Sequence, residues 1–407
     1  MTEETAALAY INRAAKFSLK KREEINEVVG MKFKEVLNEA SSNCDFYQDR
    51  KASSQLLTKE EVRNNIHAGL ISSKYAEHPN LVFDRTSGSA GDTVPFAYLQ
   101  GFHRYARMVF PFLVNTDWKW GEKHCVFTTI HCSKERCSTD EGLPYYISRV
   151  KIPTSDNIFM DKEVLEKAAI ILKENQGKIV HGDPFYLCAV ASYLDTKGER
   201  VRLKGISSTY ELLTPYVKRY LEKIFQCRVF DSYGCSEFGP IAFACQHGAK
   251  HIFEDSIFVE IVDKGRYLDP QAGEIVVTSL ENLAMPLIRY RTGDVGKLIE
   301  GPCACKRTAK MLEIYGRESQ RVSLNGVLYS ERDIARLMDI PGVLLYQVKQ
   351  KGKDLAFYIL PEKGYADKQE EIERELKGRF GKLEAGVSVA FVDHIKPESS
   401  GKFKTVL

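Results

Sequence analysis

At 407 residues the chain is longer than one compact core of ordinary size would use, so at least two domains are expected. With 43% hydrophobic and 28% charged residues it is neither disordered nor fibrous, and a formal net charge of +3 without a recurring Lys/Arg block gives no argument for nucleic acid or an anionic membrane surface. No run reaches the roughly 18 apolar residues of a membrane span, no signal-peptide pattern opens the chain, and the ten cysteines read as reduced thiols, so a cytoplasmic protein acting on a small molecule is expected.

From Ala6 to Asn38 apolar positions recur at helical spacing, and Thr58-Lys-Glu-Glu61 forms a capping box that opens another helix. This helical start reads as an arm wrapping the next domain. Strand and helix patterns then alternate: strand Leu81–Asp84, helix Phe102–Val114, strand Cys125–Thr129, helix Asp161–Asn175, strand Lys178–Val180, and a helix begun by Pro184. Strand Gly205–Ser207, a helix with Thr214 as N-cap and Pro215 at its first position, and strand Arg228–Ser232 continue the series, which implies α/β layers. From Ile241 to Leu298 the texture is β-rich, as in IFVEIVD and GEIVVTSL, and predicts a second sheet or barrel. Past Gly316 the pattern is a small α+β unit: helix Ser330–Met338, strands VLLYQVK and LAFYILP, helix Lys368–Phe380, strand VSVAFVD and a polar tail. The fold class expected is therefore α/β, with a large N-terminal domain (1–316) containing a β-rich subdomain and a small α+β domain (317–407) joined by a hinge at Gly316–Ser319.

The segment Thr86-Ser87-Gly88-Ser89-Ala90-Gly91 offers hydroxyls, glycines and backbone N–H groups to anionic oxygens, though a Ser/Gly turn would look the same. It is not a Walker A loop, because Asp92 and Thr93 follow Gly91 where Lys-Ser/Thr would stand. Downstream lie Tyr233-Gly-Cys-Ser-Glu237, Tyr290-Arg-Thr-Gly-Asp294, Gly316-Arg317 and Ser400-Gly-Lys402. Each is weak alone; for Lys402, a solvated tail lysine is the ordinary expectation. The order and spacing carry the inference.

In these motifs the chain resembles the adenylate-forming superfamily of acyl-CoA synthetases, peptide-synthetase adenylation domains and luciferases, from about Phe46 to the C-terminus. SYGCSEFGPIAFAC and Cys303-Ala-Cys305 bring it nearest to the phenylacetate-CoA ligase branch. The resemblance implies that Thr86, Ser87, Gly88, Ser89 and Gly91 hold ATP phosphates. It implies that Tyr233, beside Gly234, stacks on adenine, Ser236 meets the α-phosphate, Glu237 ligates Mg²⁺, Asp294 accepts the ribose hydroxyls, Arg317 pairs with ribose or phosphate, and Lys402 is the catalytic lysine. These roles suit the chemistry. A carboxylate attacking a phosphate needs charge neutralisation and positioning, and an Asp offers two acceptors to a vicinal diol.

The chain departs from the family at Asp92, where Lys is usual, at Ala90, at Ser319 in the hinge, and at Thr209-Tyr210-Glu211, near a common Gly-Gly-Glu turn. Tyr210 and Glu211 are therefore secondary substrate-site candidates, with His131 and His181. The aromatic content of Val180–Tyr193 points to an aryl or heteroaryl acid, although aromatics at a helix start are more often core. Cys245, His247, His251, Cys303 and Cys305 can supply four soft or borderline ligands to a structural Zn²⁺. The resemblance favours His251 over His247. His124, Cys125, His131, Cys132 and Cys137 form a second cluster, read as coincidental because neighbours on a strand face opposite ways. The reaction implied is acid plus MgATP to acyl-AMP, then transfer to coenzyme A. The alternatives are a carrier-protein thiol or an amine as acceptor, or a non-catalytic module that binds nucleotide or adenylate.

Overall fold

The computed structural model describes residues 3–52, 54–86, 93–127, 149–155, 157–398 and 403–407. In chain order these form α1 (Glu3–Phe17), α2 (Arg22–Asn43), α3 (Asp45–Gln48), α4 (Lys59–Asn65), β1 (Leu81–Arg85), β2 (Pro95–Leu99) and α5 (His103–Asn115). There follow β3 (His124–Phe127), β4 (Arg149–Ile152), α6 (Lys162–Glu174), β5 (Ile179–Gly182), α7 (Pro184–Thr196), β6 (Gly205–Ser208), α8 (Pro215–Phe225) and β7 (Val229–Cys235). Next come β8 (Gly239–Ala244), β9 (Lys250–Ile252), β10 (Ile257–Val262), β11 (Gly273–Ser279), β12 (Tyr290–Ile299) and β13 (Met311–Arg317). The last elements are β14 (Arg321–Leu324), β15 (Val327–Ser330), α9 (Glu331–Leu337), β16 (Val343–Lys351), β17 (Asp354–Pro361), α10 (Gln369–Gly381) and β18 (Val387–Phe391). No described helix is long and apolar enough to cross a membrane.

Two compact units emerge, one from Met1–Asn115, Ser232–Lys264 and Gly273–Glu313, the other from Thr116–Asp231, Gly265–Ala272 and Ile314–Leu407. In the first, the expected helical start is made of two helices, α1 and α2, and between them the Ser18 hydroxyl donates to the Ala15 carbonyl at 2.8 Å before the chain turns into Arg22. Both pieces are tied to the rest of that unit by polar contacts. Arg22 makes a two-point ion pair with the buried Glu254 at 2.6 and 2.9 Å, and Tyr10 shares a 3.2 Å hydrogen bond with Ser256. Here the strands run in the order β10-β11-β12-β13-β9-β8-β7, and the described registers between them are antiparallel. The β-rich segment is thus no separate barrel, because its ladder begins on the last residues of β7.

The second unit holds the parallel series β4-β3-β5-β6, continued by the first residues of β7. Helices α7 and α8 open as their sequences dictate: Asp183 and Thr214 cap the amides of Phe185 and Val217, with Pro184 and Pro215 at the first position. They pack with α6 on the strands around Leu187, Val190, Leu221 and Ile224. Antiparallel β16–β17 and parallel β17–β18 form the predicted small sheet, whose own core includes Val348, Phe357, Leu376 and Phe380. From this part Leu344, Leu345, Leu360 and Phe403 join the α7–α8 core.

Candidate functional site

Strand β7 runs past its predicted end at Ser232 to Cys235, so Tyr233 and Gly234 sit in a ladder with β8 rather than in a loop. Cys235 pairs with Gly239, which leaves Ser236, Glu237 and Phe238 as a three-residue hairpin tip. Gly239 takes φ +68, the left-handed residue such a tip requires, and a Cβ on Gly234 would lie 2.5 Å from the Gly239 carbonyl oxygen. Both glycines are therefore demanded by the turn. At the tip, Glu237 is 6% exposed and accepts a 2.5 Å hydrogen bond at Oε1 from the fully buried Tyr290 hydroxyl.

Tyr290 begins β12, held in place from the N-terminal side. Leu57, next to the Thr58–Glu61 capping box, donates its amide to the Arg289 carbonyl and accepts from the Arg291 amide, both at 2.9 Å. The β11–β12 register shifts between Arg291 and Val295, so Thr292-Gly293-Asp294 forms a bulge. Gly293 supplies φ +80, and the Thr292 hydroxyl donates to the Ile275 carbonyl while accepting from the Asp294 amide. The bulge aims Asp294 at β7, where its Oδ2 accepts from the Tyr233 hydroxyl at 2.8 Å. Burial, then the nearby Asp294 charge, pushes the Tyr233 phenol well above its ordinary range, so it stays a donor. Burial does the same for Tyr290, reinforced by Glu237.

Two side-chain pairs thus join the two central motifs, Tyr233–Asp294 and Tyr290–Glu237. A single buried carboxylate at a hairpin tip fits Mg²⁺, which binds one or two carboxylates together with phosphates and water. The half-buried Asp294 fits a diol. Thr86, first of the residues expected to hold phosphate, is tied to Val94: its amide donates to the Val94 carbonyl at 3.0 Å, and its hydroxyl accepts from the Val94 amide at 2.9 Å. Ser87, Gly88, Ser89 and Gly91, like His131 and Lys402, lie outside the described residues. Arg317 ends β13 in the second unit, and its carbonyl accepts from the Gln320 amide in the turn that follows. In that unit His181 is buried at the end of β5 with Tyr210 edge-on at 6.2 Å, and Glu211 follows on the same turn. Sequence reasoning missed Tyr290 as the partner of Glu237, although its motif had been noticed. It also missed Arg104 and Arg107, which carry no motif at all.

The predicted metal ligands do converge. Ligand atoms of Cys245, His251, Cys303 and Cys305 all lie within 4.8 Å of one another, with Cys245 and Cys303 sulfurs 3.8 Å apart and Cys305 Sγ 3.2 Å from His251 Nε2. A tetrahedron with Zn–S bonds of about 2.3 Å has S–S edges of roughly 3.8 Å. His251 Nδ1 lies 3.0 Å from the Ala309 carbonyl, which as hydrogen-bond acceptor places the proton there and leaves Nε2 to ligate; burial holds the ring below its ordinary pKa and so neutral. His247 is exposed, and its amide donates to Cys245 Sγ at 3.4 Å. The four-residue set therefore uses His251. Of the second cluster, His124 and Cys125 are buried neighbours on β3, and the other three residues lie outside the described residues.

No family profile matches the chain. It is similar to the phenylacetate-coenzyme A ligase of Pseudomonas putida, at 27% identity over 282 residues, 66% of this chain and 61% of that protein. The Thermus thermophilus enzyme of the same name is 32% identical over 180 residues, 40% of each chain. The matches thus span about three fifths and two fifths of these relatives' lengths. Among solved structures, 2-hydroxyisobutyryl-CoA ligase in its postadenylation state superposes with TM-score 0.74 at 17% identity, over 95% of this chain and 89% of that one. Anthranilate CoA ligase AuaEII gives TM-score 0.55 at 13% identity, over 79% and 65%. The first covers both the parallel and the β-rich parts and shares their fold. The order of the motifs, the strands on which they fall and these likenesses agree: in sequence the chain is similar to the phenylacetate-CoA ligases, and in fold to the CoA ligases of the adenylate-forming superfamily.

Proposed function

We propose that the chain activates a carboxylic acid, of the aryl or heteroaryl class, as an acyl-AMP and then passes the acyl group to the thiol of coenzyme A. The pairing of Tyr233 with Asp294 and of Tyr290 with Glu237 across the two motif strands carries this reading. In the first step the acid's oxygen attacks the α-phosphorus, the bond to pyrophosphate breaks, and pyrophosphate leaves. In the second, the thiol sulfur attacks the acyl carbonyl, its proton is lost, and AMP leaves. Glu237 would hold Mg²⁺, which neutralises phosphate charge when bound. Asp294 would take the ribose hydroxyls, Tyr233 the adenine face, and Thr86 to Gly91 the phosphates. Lys402 would bridge acid and α-phosphate, and Arg317 would meet ribose or phosphate beside a hinge about which 317–407 turns between steps. Zn²⁺ on Cys245, His251, Cys303 and Cys305 would staple the turn after β8 to the turn before β13, with no position left open for catalysis.

Acid-dependent ATP–pyrophosphate exchange against aromatic, heteroaromatic and short aliphatic acids tests the reading. Exchange is expected with an aromatic acid and should vanish in Lys402→Ala. Silence with every acid favours the non-catalytic module, whereas exchange followed by acyl transfer to a carrier protein or amine instead of coenzyme A changes only the acceptor.

A further inference from the structure

Helix α5 presents two arginines three residues apart, on one face. Arg104 Nη2 donates to the Ser236 carbonyl, and Arg107 Nη2 donates to the Phe238 carbonyl at 2.8 Å. These carbonyls belong to the residues on either side of Glu237. The Arg107 side chain is buried and that of Arg104 half-buried. Arg107 is 4% exposed and meets Glu281 at 3.3 Å, and Glu281 in turn accepts from Ser256 at 2.7 Å. The Arg104 guanidinium lies over the rings of Tyr98, 4.4 Å from the centroid, and Phe96, 5.4 Å. Its Nε packs on Gly239, where a Cβ would stand 3.2 Å away. Among the described residues no carboxylate forms an ion pair with Arg104, and Asp84 acts on it only at longer range.

Withdrawing a cation from water is costly unless it is well partnered. A packing role alone would be met by a long apolar side chain over Tyr98. Two cations directed at the carbonyls flanking one acid instead fix a tripeptide, and Tyr290 then fixes the acid's side chain. We propose that Arg104 and Arg107 are positioning residues, a clamp from α5 that holds the peptide groups on both sides of Glu237 and so sets the direction of its carboxylate toward Mg²⁺. The proposal rests on the metal-binding role given to Glu237 above. It assigns the arginines no contact with substrate.

The test uses Arg104→Lys, Arg104→Gln, Glu237→Gln and the Arg104→Gln/Glu237→Gln double variant of the full chain. ATP affinity is measured by titration in Mg²⁺ and in EDTA, with thermal unfolding to verify the fold and pyrophosphate exchange alongside. Arg104→Gln should weaken ATP binding in Mg²⁺ about tenfold, the usual effect of losing a group that orients a metal ligand. It should leave binding in EDTA unchanged and add nothing to Glu237→Gln, with Arg104→Lys intermediate. Equal loss with and without Mg²⁺, or the same further loss in the Glu237→Gln background, would mean that the guanidinium acts on the nucleotide itself and would overturn the clamp, as would an unchanged affinity in a folded variant. A wild type that binds ATP in a Mg²⁺-dependent way but never exchanges would sink the acid-activating reading alone, and the variants would still decide the clamp. A wild type indifferent to Mg²⁺ would sink both.

Discussion

His181 shows what one buried titratable ring does to the stability of its unit. It sits 8% exposed at the end of β5, and its Nδ1 finds no hydrogen-bond partner among the described residues. Burial, then the nearby Arg149 charge, pushes its pKa down to about 4, so the folded protein carries it neutral. In the unfolded chain the same ring titrates at the ordinary 6.5. Between these two values the unfolded state binds a proton that the folded state refuses, so stability is complete above pH 6.5 and falls as pH drops toward 4. The shift corresponds to roughly 3 kcal/mol at its acid end. In His181→Gln, urea unfolding midpoints should therefore fall less steeply over this range than in wild type. Parallel curves for the two proteins would mean that the ring is hydrated and protonates freely in the fold. The same orphaned nitrogen is why His181 stays a candidate for meeting a polar group on the acid.

At the level of elements, what could be read from the sequence was what leaves a local or periodic trace. Alternating strands, the helix start at Pro184, the cap at Thr214, and the ligand-type residues in the turns around β9 were all legible on that basis. The helical start from Ala6 to Asn38 was legible, but its break after Phe17 was not, because periodicity does not register a Ser18 hydroxyl bonding back to Ala15. Strand β7 outran its predicted end because Gly234 reads as a turn until the close approach of Gly239 is known. The Tyr290–Glu237 bond joins residues 53 apart, and Arg104 and Arg107 look like ordinary cations on an amphipathic helix until their carbonyl partners are seen. The cysteine set makes a prediction at this scale. If Cys303 and Cys305 staple the turn before β13 to Cys245 and His251, purified protein should carry about one zinc per chain, as a closed four-ligand site would. Cys303→Ser should lose it and unfold at lower temperature. Cys227→Ser, a change outside the set, should retain the metal. Full zinc content in Cys303→Ser would remove the staple.

Across the molecule, the proposed two-step reaction requires 317–407 to turn relative to the rest, so its attachments must be separable. Within its own compact unit, the described polar attachments to residues 195–223 include Arg219–Asp339 at 2.5 Å, Lys223–Glu362 at 3.1 Å and Lys363 to the Asp195 carbonyl at 2.9 Å. Arg219 and Lys223 are 59% and 55% exposed, and such pairs contribute about 0–1 kcal/mol each. The Phe403 ring is different. It is 1% exposed, lies parallel to Phe185 at 4.3 Å, and meets Tyr186 edge-on at 5.5 Å. Truncating a buried Phe costs about 3–5 kcal/mol, and Phe403 directly follows the proposed catalytic Lys402. If this seated arrangement serves adenylation and is left for the second step, Phe403→Ala weakens only the first. Pyrophosphate exchange should then fall by roughly tenfold or more, since even 1.4 kcal/mol off the seated state has that effect. Transfer of a presynthesised acyl-AMP to coenzyme A should stay near the wild-type rate, with thermal unfolding confirming that the variant is folded. A parallel loss in both half-reactions would instead make Phe403 part of a core that never opens, and the boundary at Arg317 would then divide no moving parts.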